Sequence, residues 1–409
     1  MPQTLITSQI VARKALESLI NNCVMPRLVH RKFENYFVQD EKIGTTLTIR
    51  KPNKFVVRDG PVAVIQDINE PTVTITVNKF KGVDLNFTDT DMALSVFDFT
   101  ERFIEPAMIP LANQVDLDLL ALANTFSNVV GTPGVTPSTF ATSVALTGQR
   151  MDENAVPPGA PRNLVVNPAA SWAMAGAQSN AFVTRVSEKA LIKGYLNEIG
   201  NQTILMDQNV GNTSVGTVYG GTALSNAATP QTGASIITNG WTATTTVLKA
   251  GTVITFGDPA ADPGGGVYAV NPVSFANIGR LKNFVVTADT VTDGSGNSTI
   301  AIEPAVITTG PFQNVTNGIK DNSPITVLTG ATGTTHPNNI AFTKEAMGLV
   351  MVPLQMPRGM DMAAVETRDG ISIRFVRGFD IVNARFISRL DILYGVAKYY
   401  DELAVRLIG

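Results

Sequence analysis

The sequence predicts a mixed helix and strand fold of the α+β class, with an antiparallel β-barrel inserted into it. Three observations lead there. Apolar residues recur at three- and four-residue spacing in separate stretches of the first half. Between 211 and 340 lie 18 of the 34 glycines, with many threonines and few charges. The last forty residues, Gly370 to Gly409, alternate apolar and polar on both sides of a turn.

Bulk properties narrow the function. At 409 residues the chain can form two or three domains, each with its own core. It is 44% hydrophobic and 16% charged, with a net charge of −3, so no concentrated basic surface points to tight nucleic-acid binding. The single cysteine, Cys23, has no intrachain partner for a disulfide and sits in an apolar stripe, where it reads as a small buried hydrophobe. The start lacks the unbroken apolar core of a signal peptide, and no run reaches membrane-spanning length. A soluble protein folded in a cytoplasm is the expectation.

The first element is an amphipathic helix over 8–23, with Ala12, Ala15, Leu16, Leu19, Ile20 and Cys23 on one stripe, Ser8 as a cap and Pro26 beyond its end. From Gly44 the pattern becomes extended. Leu47 and Ile49 alternate with threonines, a turn follows at Gly60-Pro61, and Val73, Ile75 and Val77 share a face in the return run. This excursion, 44–87, is too thin to bury much and needs another surface to lie on. Its basic residues Arg50, Lys51, Lys54 and Arg58 are candidates for that contact, with an ordinary solvated loop as the alternative.

Asp89 and Asp91 can cap a helical segment, and Met108, Leu111, Val115, Leu119 and Leu122 continue as one stripe to about Asn124. Pro106 suits a first turn, whereas Pro110 must also lie in that turn or kink the helix. Asp116 and Asp118, two apart on a helix, point in different directions and read as solvent-facing or ion-paired. A loop over 131–137, a helix over 138–152 and a buried strand Leu164–Val166 follow. Asn167-Pro168 then opens a helix with Trp172 inside it, and a further helical pattern covers 186–197. The glycine- and threonine-rich stretch reads as short strands between turns, an insertion whose two ends lie close together. In the final hairpin, Ile371, Ile373, Phe375, Phe386, Leu390, Ile392 and Tyr394 form the buried face, and Arg374, Arg385, Arg389 and Asp391 the polar one, with Arg377 at the turn.

Catalytic signatures are missing. No phosphate-binding glycine loop, dinucleotide fingerprint, zincin helix or paired CxxC occurs, so neither an enzyme nor any cofactor or metal is expected. His30 and His336 fall in different predicted domains and read as isolated polar residues. Asp289, Asp293 and Asn297 lack the full spacing of a calcium loop and read as a tight turn. Met347, Met351, Met356, Met360 and Met362 read as flexible core filler.

The order of elements, with the stretches FTERFIEPAMIPLANQVDLDLL, PRNLVVNPAA, TILMDQNV and DGISIRFVRGFDIVNARFISRLDILYG, resembles the major capsid proteins of tailed bacteriophages. The likeness is to the Hong Kong 97-type fold, in the branch with an inserted β-barrel like the Salmonella podovirus coat protein. It spans nearly the whole chain and rests on element order, not on a diagnostic motif. The resemblance implies an N-terminal arm at 1–40 and an extended β-loop at 41–88 lying over a neighbouring subunit. It implies a peripheral domain with a spine helix at 89–137 and an axial domain at 138–205 and 341–398. The inserted barrel would be 206–340, and 399–409 would return to the peripheral domain. A scaffolding segment removed by a protease, found in some relatives, is not expected ahead of the first helix unless the chain is a processed form.

The resulting expectation is a coat protein that assembles with itself, as pentamers and hexamers, into an icosahedral head. That head would enclose double-stranded DNA without sequence-specific binding, be built in the host cytoplasm and involve no membrane. A scaffolding protein, a portal and a decoration protein are the implied partners. Intersubunit contacts are expected from Arg50, Lys51, Lys54 and Arg58 in the loop, and from Arg374, Arg377, Arg385, Arg389 and Asp391 in the hairpin. An encapsulin-like nanocompartment shell and a secreted β-rich surface or adhesion protein are the alternatives.

Overall fold

The computed structural model describes residues 8–32, 44–88, 103–179, 198–215, 222–257, 266–357, Gly359 and 362–409, apart from positions 59, 64, 69 and 384. The expected caps Asp89 and Asp91, the helical pattern at 186–197 and Met360 lie outside the described residues. The backbone divides into two compact units. Met1–Lys51, Thr72–Leu120 and Met347–Tyr399 form the first; Pro52–Pro71, Ala121–Ala346 and Tyr400–Gly409 form the second.

In the first unit, α1 (Ser8–Asn22) buries Val11, Ala12, Ala15, Leu16 and Leu19, the stripe its spacing dictates. Cys23 is buried just beyond it. Strand β1 (Thr46–Arg50) pairs antiparallel with β2 (Thr72–Thr76), Leu47 opposite Ile75, and β3 (Lys79–Thr88) follows. Helix α2 (Glu105–Leu120) packs on α1 and keeps Pro110 inside it. It ends earlier than the apolar stripe suggests, because Ala121–Thr125 tightens into a 3₁₀ turn. Asp116 does not face solvent. It is 2% exposed and accepts the backbone N–H groups of Val24 and Met25, at 2.9 and 3.0 Å, closing the turn after α1. Asp118 pairs with Lys79 Nζ at 3.0 Å and accepts from Tyr394 Oη at 2.7 Å.

The second unit opens with β4 (Val129–Gly131), α3 (Val144–Glu153), β5 (Arg162–Val166) and α4 (Pro168–Ser179). Asn167 Oδ1 accepts the Ala170 N–H at 3.0 Å, so the Asn-Pro pair starts α4 as a cap followed by a first-position proline. Trp172 lies within α4 yet is 67% exposed. Strands β6 (Glu198–Ile199), β7 (Gln202–Met206) and β8 (Asn212–Ser214) come next, with β7 parallel to β5.

The inserted barrel runs through β9 (Leu224–Ser225), β10 (Gly233–Asn239), β11 (Thr246–Leu248), β12 (Val253–Phe256) and β13 (Tyr268–Val270). It continues through β14 (Asn277–Leu281), β15 (Phe284–Val286), β16 (Thr290–Val291), β17 (Ser298–Val306) and β18 (Ile325–Val327). Six of these form one sheet in the order β18-β12-β15-β17-β10-β9. A bridge between Leu224 and Pro324 brings its two ends together, so the barrel is nearly closed and its edges are protected. Trp241, Ile254, Phe256, Phe284, Ile300 and Ile319 fill its interior. The DGSGN stretch is the tight turn expected, with Asp293 Oδ1 accepting the N–H groups of Ser295 and Asn297 at 2.8 Å each.

After the barrel, β19 (Thr335–Thr343) pairs with β8 and then with β5. Val215 N donates to Thr334 O at 3.1 Å, so the two ends of the insertion are adjacent. The expected span, 206–340, takes in part of β19. Asn338, Asn339 and Ile340 read like barrel residues, but their backbone belongs to the central sheet of the unit. The chain then returns to the first unit through β20 (Met347–Met351), β21 (Met362–Arg368), β22 (Ile371–Asp380) and β23 (Arg385–Lys398). Their sheet order is β20-β23-β22-β21, with β3 also paired to β23. Met347 and Met351 are core, whereas Met356 is 57% exposed.

The last strand, β24 (Ala404–Ile408), completes the second unit's sheet in the order β4-β24-β19-β5-β7-β6. It lies beside β4, within the 89–137 span, whereas β20 to β23 share their unit with α1 and α2. The hairpin's alternating face is covered by α1, which packs on β21 and β22. By contrast β24 is buried at all five positions, the pattern of a central strand with both faces covered.

Within that strand Arg406 has no exposed surface. Its Nη1 donates to Gly251 O at 2.8 Å, and its Nη2 to Thr213 Oγ1 and Asn338 Oδ1 at 3.0 Å each. Burial lowers its pKa to about 9, offset in part by Asp401, so it stays charged at neutral pH. His336, 2% exposed, has no hydrogen-bond partner on either ring nitrogen among the described residues. Burial, and then the charge of Arg406, lower its pKa to about 4.

Two outcomes follow. Arg406→Leu strands several buried acceptors and should lower stability by about 3 kcal/mol or more, read from the urea midpoint. Because the folded pKa of His336 lies below its ordinary value of 6.5, the unfolded chain takes up the proton first. Stability is then fully present above about 6.5 and should fall by on the order of 2–3 kcal/mol as pH drops toward 4. His336→Gln should flatten that slope in urea titrations across the same window.

Candidate assembly surfaces

The hairpin arginines do not form a simple solvated face. Register places Arg374 opposite Asp391 and Val376 opposite Arg389, and on the next strand Gly82 opposite Asp391 and Asp84 opposite Arg389. Asp391 is fully buried and accepts from Arg374 Nη2 at 2.7 Å and Arg389 Nη2 at 3.1 Å. Arg389 Nε then reaches Asp84 at 3.1 Å, so a line of alternating charge crosses β22, β23 and β3. A side chain at position 82 would strike the Asp391 carboxylate, which is why glycine stands there. Within the sheet Asp391 serves as an internal counter-ion to both arginines.

Arg385 pairs with Asp380 at 3.0 Å. Hydrogen bonds from Asn383 and Arg385 hold that carboxyl below the usual range. Arg377 lies 4.3 Å over the Phe386 ring. What the hairpin offers outward at its turn is apolar, with Ile381 85% and Val382 90% exposed.

The extended loop shows the same inversion. Arg50 is exposed at the end of β1, and Lys51 is half-buried. Lys54 pairs with Glu402 at 3.6 Å, both side chains 41% exposed. Arg58 turns back onto its own loop, donating to the carbonyls of Gly60 and Val62. Gln66 closes the loop against Val56, accepting its N–H at 2.8 Å and donating to its carbonyl at 2.6 Å. The tip carries Phe55 at 61% exposure and Val57 at 93%. Sequence reasoning missed this because these apolar residues follow neither helical nor strand periodicity. Their signal was the stretch FVVRDGPVAVIQDI itself, too apolar for a solvated loop.

Among the described residues no three His, Cys, Asp or Glu side chains converge as metal ligands. His30 is 4% exposed and packs edge-on against Tyr399 at 5.8 Å. Asp391→Asn should cost about 3 kcal/mol, since it leaves two arginines over a neutral amide, and a lowered urea midpoint with unchanged slope is the expected reading.

The profile of the family described as P22 coat protein, gene protein 5, matches residues 3–409. No curated protein matches the sequence. Among solved structures, one from Mycobacterium phage Che8 is 12% identical over 94% of this chain and 90% of its own, with a TM-score of 0.49. The capsid of Ralstonia phage GP4 is 8% identical, covering 93% and 89% with a TM-score of 0.45. A virus-like particle from Pyrococcus furiosus is 7% identical, covering 97% and 96% with a TM-score of 0.39. Such distant likenesses assign no residue a role. The family match, by contrast, takes in almost every residue, and the chain belongs to the P22 coat protein family.

Proposed function

We propose that this major capsid protein builds the icosahedral head of a tailed bacteriophage by shape and surface alone, with copies meeting in pentamers and hexamers. The observation that carries the reading is the coat-protein family match over residues 3–409. A nanocompartment shell is less supported, because the matching family is one of phage coat proteins. Assembly takes place in the host cytoplasm with a scaffolding protein and a portal, and a decoration protein is a further partner. The net charge of −3 suits a container for DNA that must not be held fast to the wall.

Contacts between copies come from the extended loop and the hairpin. Phe55 and Val57 supply apolar area at the loop tip, and Arg50, Lys51, Lys54 and Arg58 its charged rim. In the hairpin, Ile381 and Val382 present the apolar turn, flanked by Arg374, Arg377, Arg385 and Arg389. An apolar centre within a charged rim is the usual anatomy of a protein interface. Negative-stain electron microscopy of the chain expressed with its neighbouring genes should show closed polyhedral shells or hexamer tubes. A Lys54→Glu, Arg58→Glu double variant should keep its circular dichroism and lose shell yield; normal shells from it would remove these two residues from the interface.

A further inference from the structure

Where the parent sheet of the second unit meets its inserted barrel there is a cleft of about 690 Å³, within the size range of small-molecule sites. Val129 of β4 and Leu146 of α3 line it from the parent side, and Leu281 of β14 and Leu328, just beyond β18, from the barrel side. Leu146, Leu281 and Leu328 are only half-buried, so they keep apolar surface that the described chain does not cover. Among the described residues that line the cleft none is aromatic, and Arg150 is the one that carries charge. Arg150 stands four residues after Leu146 on α3, which puts the cation and the apolar wall on one helix face.

Arg150 does not have a carboxylate to itself. Its Nε lies 3.5 Å from Glu153 Oε2, the same oxygen that Arg280 Nε contacts at 2.7 Å. Arg280 also donates to Asn154 Oδ1 at 3.1 Å. Two guanidinium groups thus share one acid, and the Nη1 of each is buried with no hydrogen-bond partner among the described residues. Burial, then the like charge of Arg280, lower Arg150 to about 10, which leaves it protonated at neutral pH. Its side chain still keeps 17% of its surface exposed, so an anion in the cleft can reach it. A single surplus positive charge is matched by a monoanion and overbalanced by a dianion. Aliphatic walls without an aromatic face favour a flexible hydrocarbon chain over a flat ring.

We infer that this cleft binds an aliphatic monocarboxylate, its head paired with Arg150 and its chain laid along Leu146, Leu281 and Leu328. Because those walls come from both the parent sheet and the barrel, the bound chain braces the junction between them. This site goes beyond the shell-forming reading and does not depend on it.

Sodium decanoate is the probe, offered to the full-length chain at neutral pH below its micelle-forming concentration and followed by equilibrium dialysis. Saturable binding at a single site is expected. Shortening the chain by two methylenes, to octanoate, should weaken it about tenfold. Arg150→Gln, which leaves Glu153 to Arg280, should weaken decanoate about tenfold or more and leave the uncharged decanol unaffected. Thr326→Trp, a change at an exposed strand position beside the cleft, should fill it and remove binding of both. Absence of saturable binding overturns the proposal, and so does decanoate affinity that Arg150→Gln leaves unchanged. Should Arg150→Gln fail to fold, Thr326→Trp decides, and undiminished decanoate binding by that variant overturns the assignment to this cleft.

Discussion

A buried guanidinium with no carboxylate in hydrogen-bond contact among the described residues is the constraint around which the second unit is arranged. Arg406 is removed from water on the last strand, and the free energy of that removal is offset by acceptors placed around it and by the charge of Asp401. Those acceptors come from distant parts of the chain: Gly251 in the barrel, Thr213 on β8 and Asn338 on β19. The strand carrying Arg406 meets these acceptors where the insertion returns its two ends to the sheet. The barrel is thus joined to its parent sheet by more than a linker. His336, buried nearby and held neutral, makes the same junction sensitive to acid.

The first unit solves a related problem differently. Its long hairpin carries charge across three strands, and the sheet places a glycine where the central aspartate needs room. Asp391 lies between Arg374 and Arg389, and Asp84 pairs with Arg389 in turn, so two acids meet two cations. At Arg150 and Arg280 around Glu153, by contrast, two cations share one acid. The exposed turns of the hairpin and the loop are apolar. Exposed apolar turns of this kind are surfaces that a second copy can cover.

Much of this was legible in the residues. The stripe Val11, Ala12, Ala15, Leu16 and Leu19, the Asn167-Pro168 cap, the paired strands β1 and β2 and the two-stranded hairpin all follow from periodicity and turn chemistry. The glycine- and threonine-rich barrel did too. The candidate contacts were legible only as residue types. Arginines at alternating positions looked solvated, yet Arg374 and Arg389 are engaged by an aspartate that the same alternation had placed outside.

What the sequence determined by itself was the set of elements, because helix and strand periodicity are local and each apolar stripe must be covered. It also determined the absence of familiar catalytic motifs, which is a matter of which residues exist. Tertiary structure alone decided which sheet the last two segments joined. The hairpin went with α1 and α2, and Ala404–Ile408 went between β4 and β19. Both segments are apolar enough for either place, and the choice depends on backbone partners far away in the chain. The same holds for Asp391 and Asp116, whose burial depends on cations and amide groups brought to them by other elements. Alternation reports which way a side chain points, and only the assembled fold supplies what it meets there.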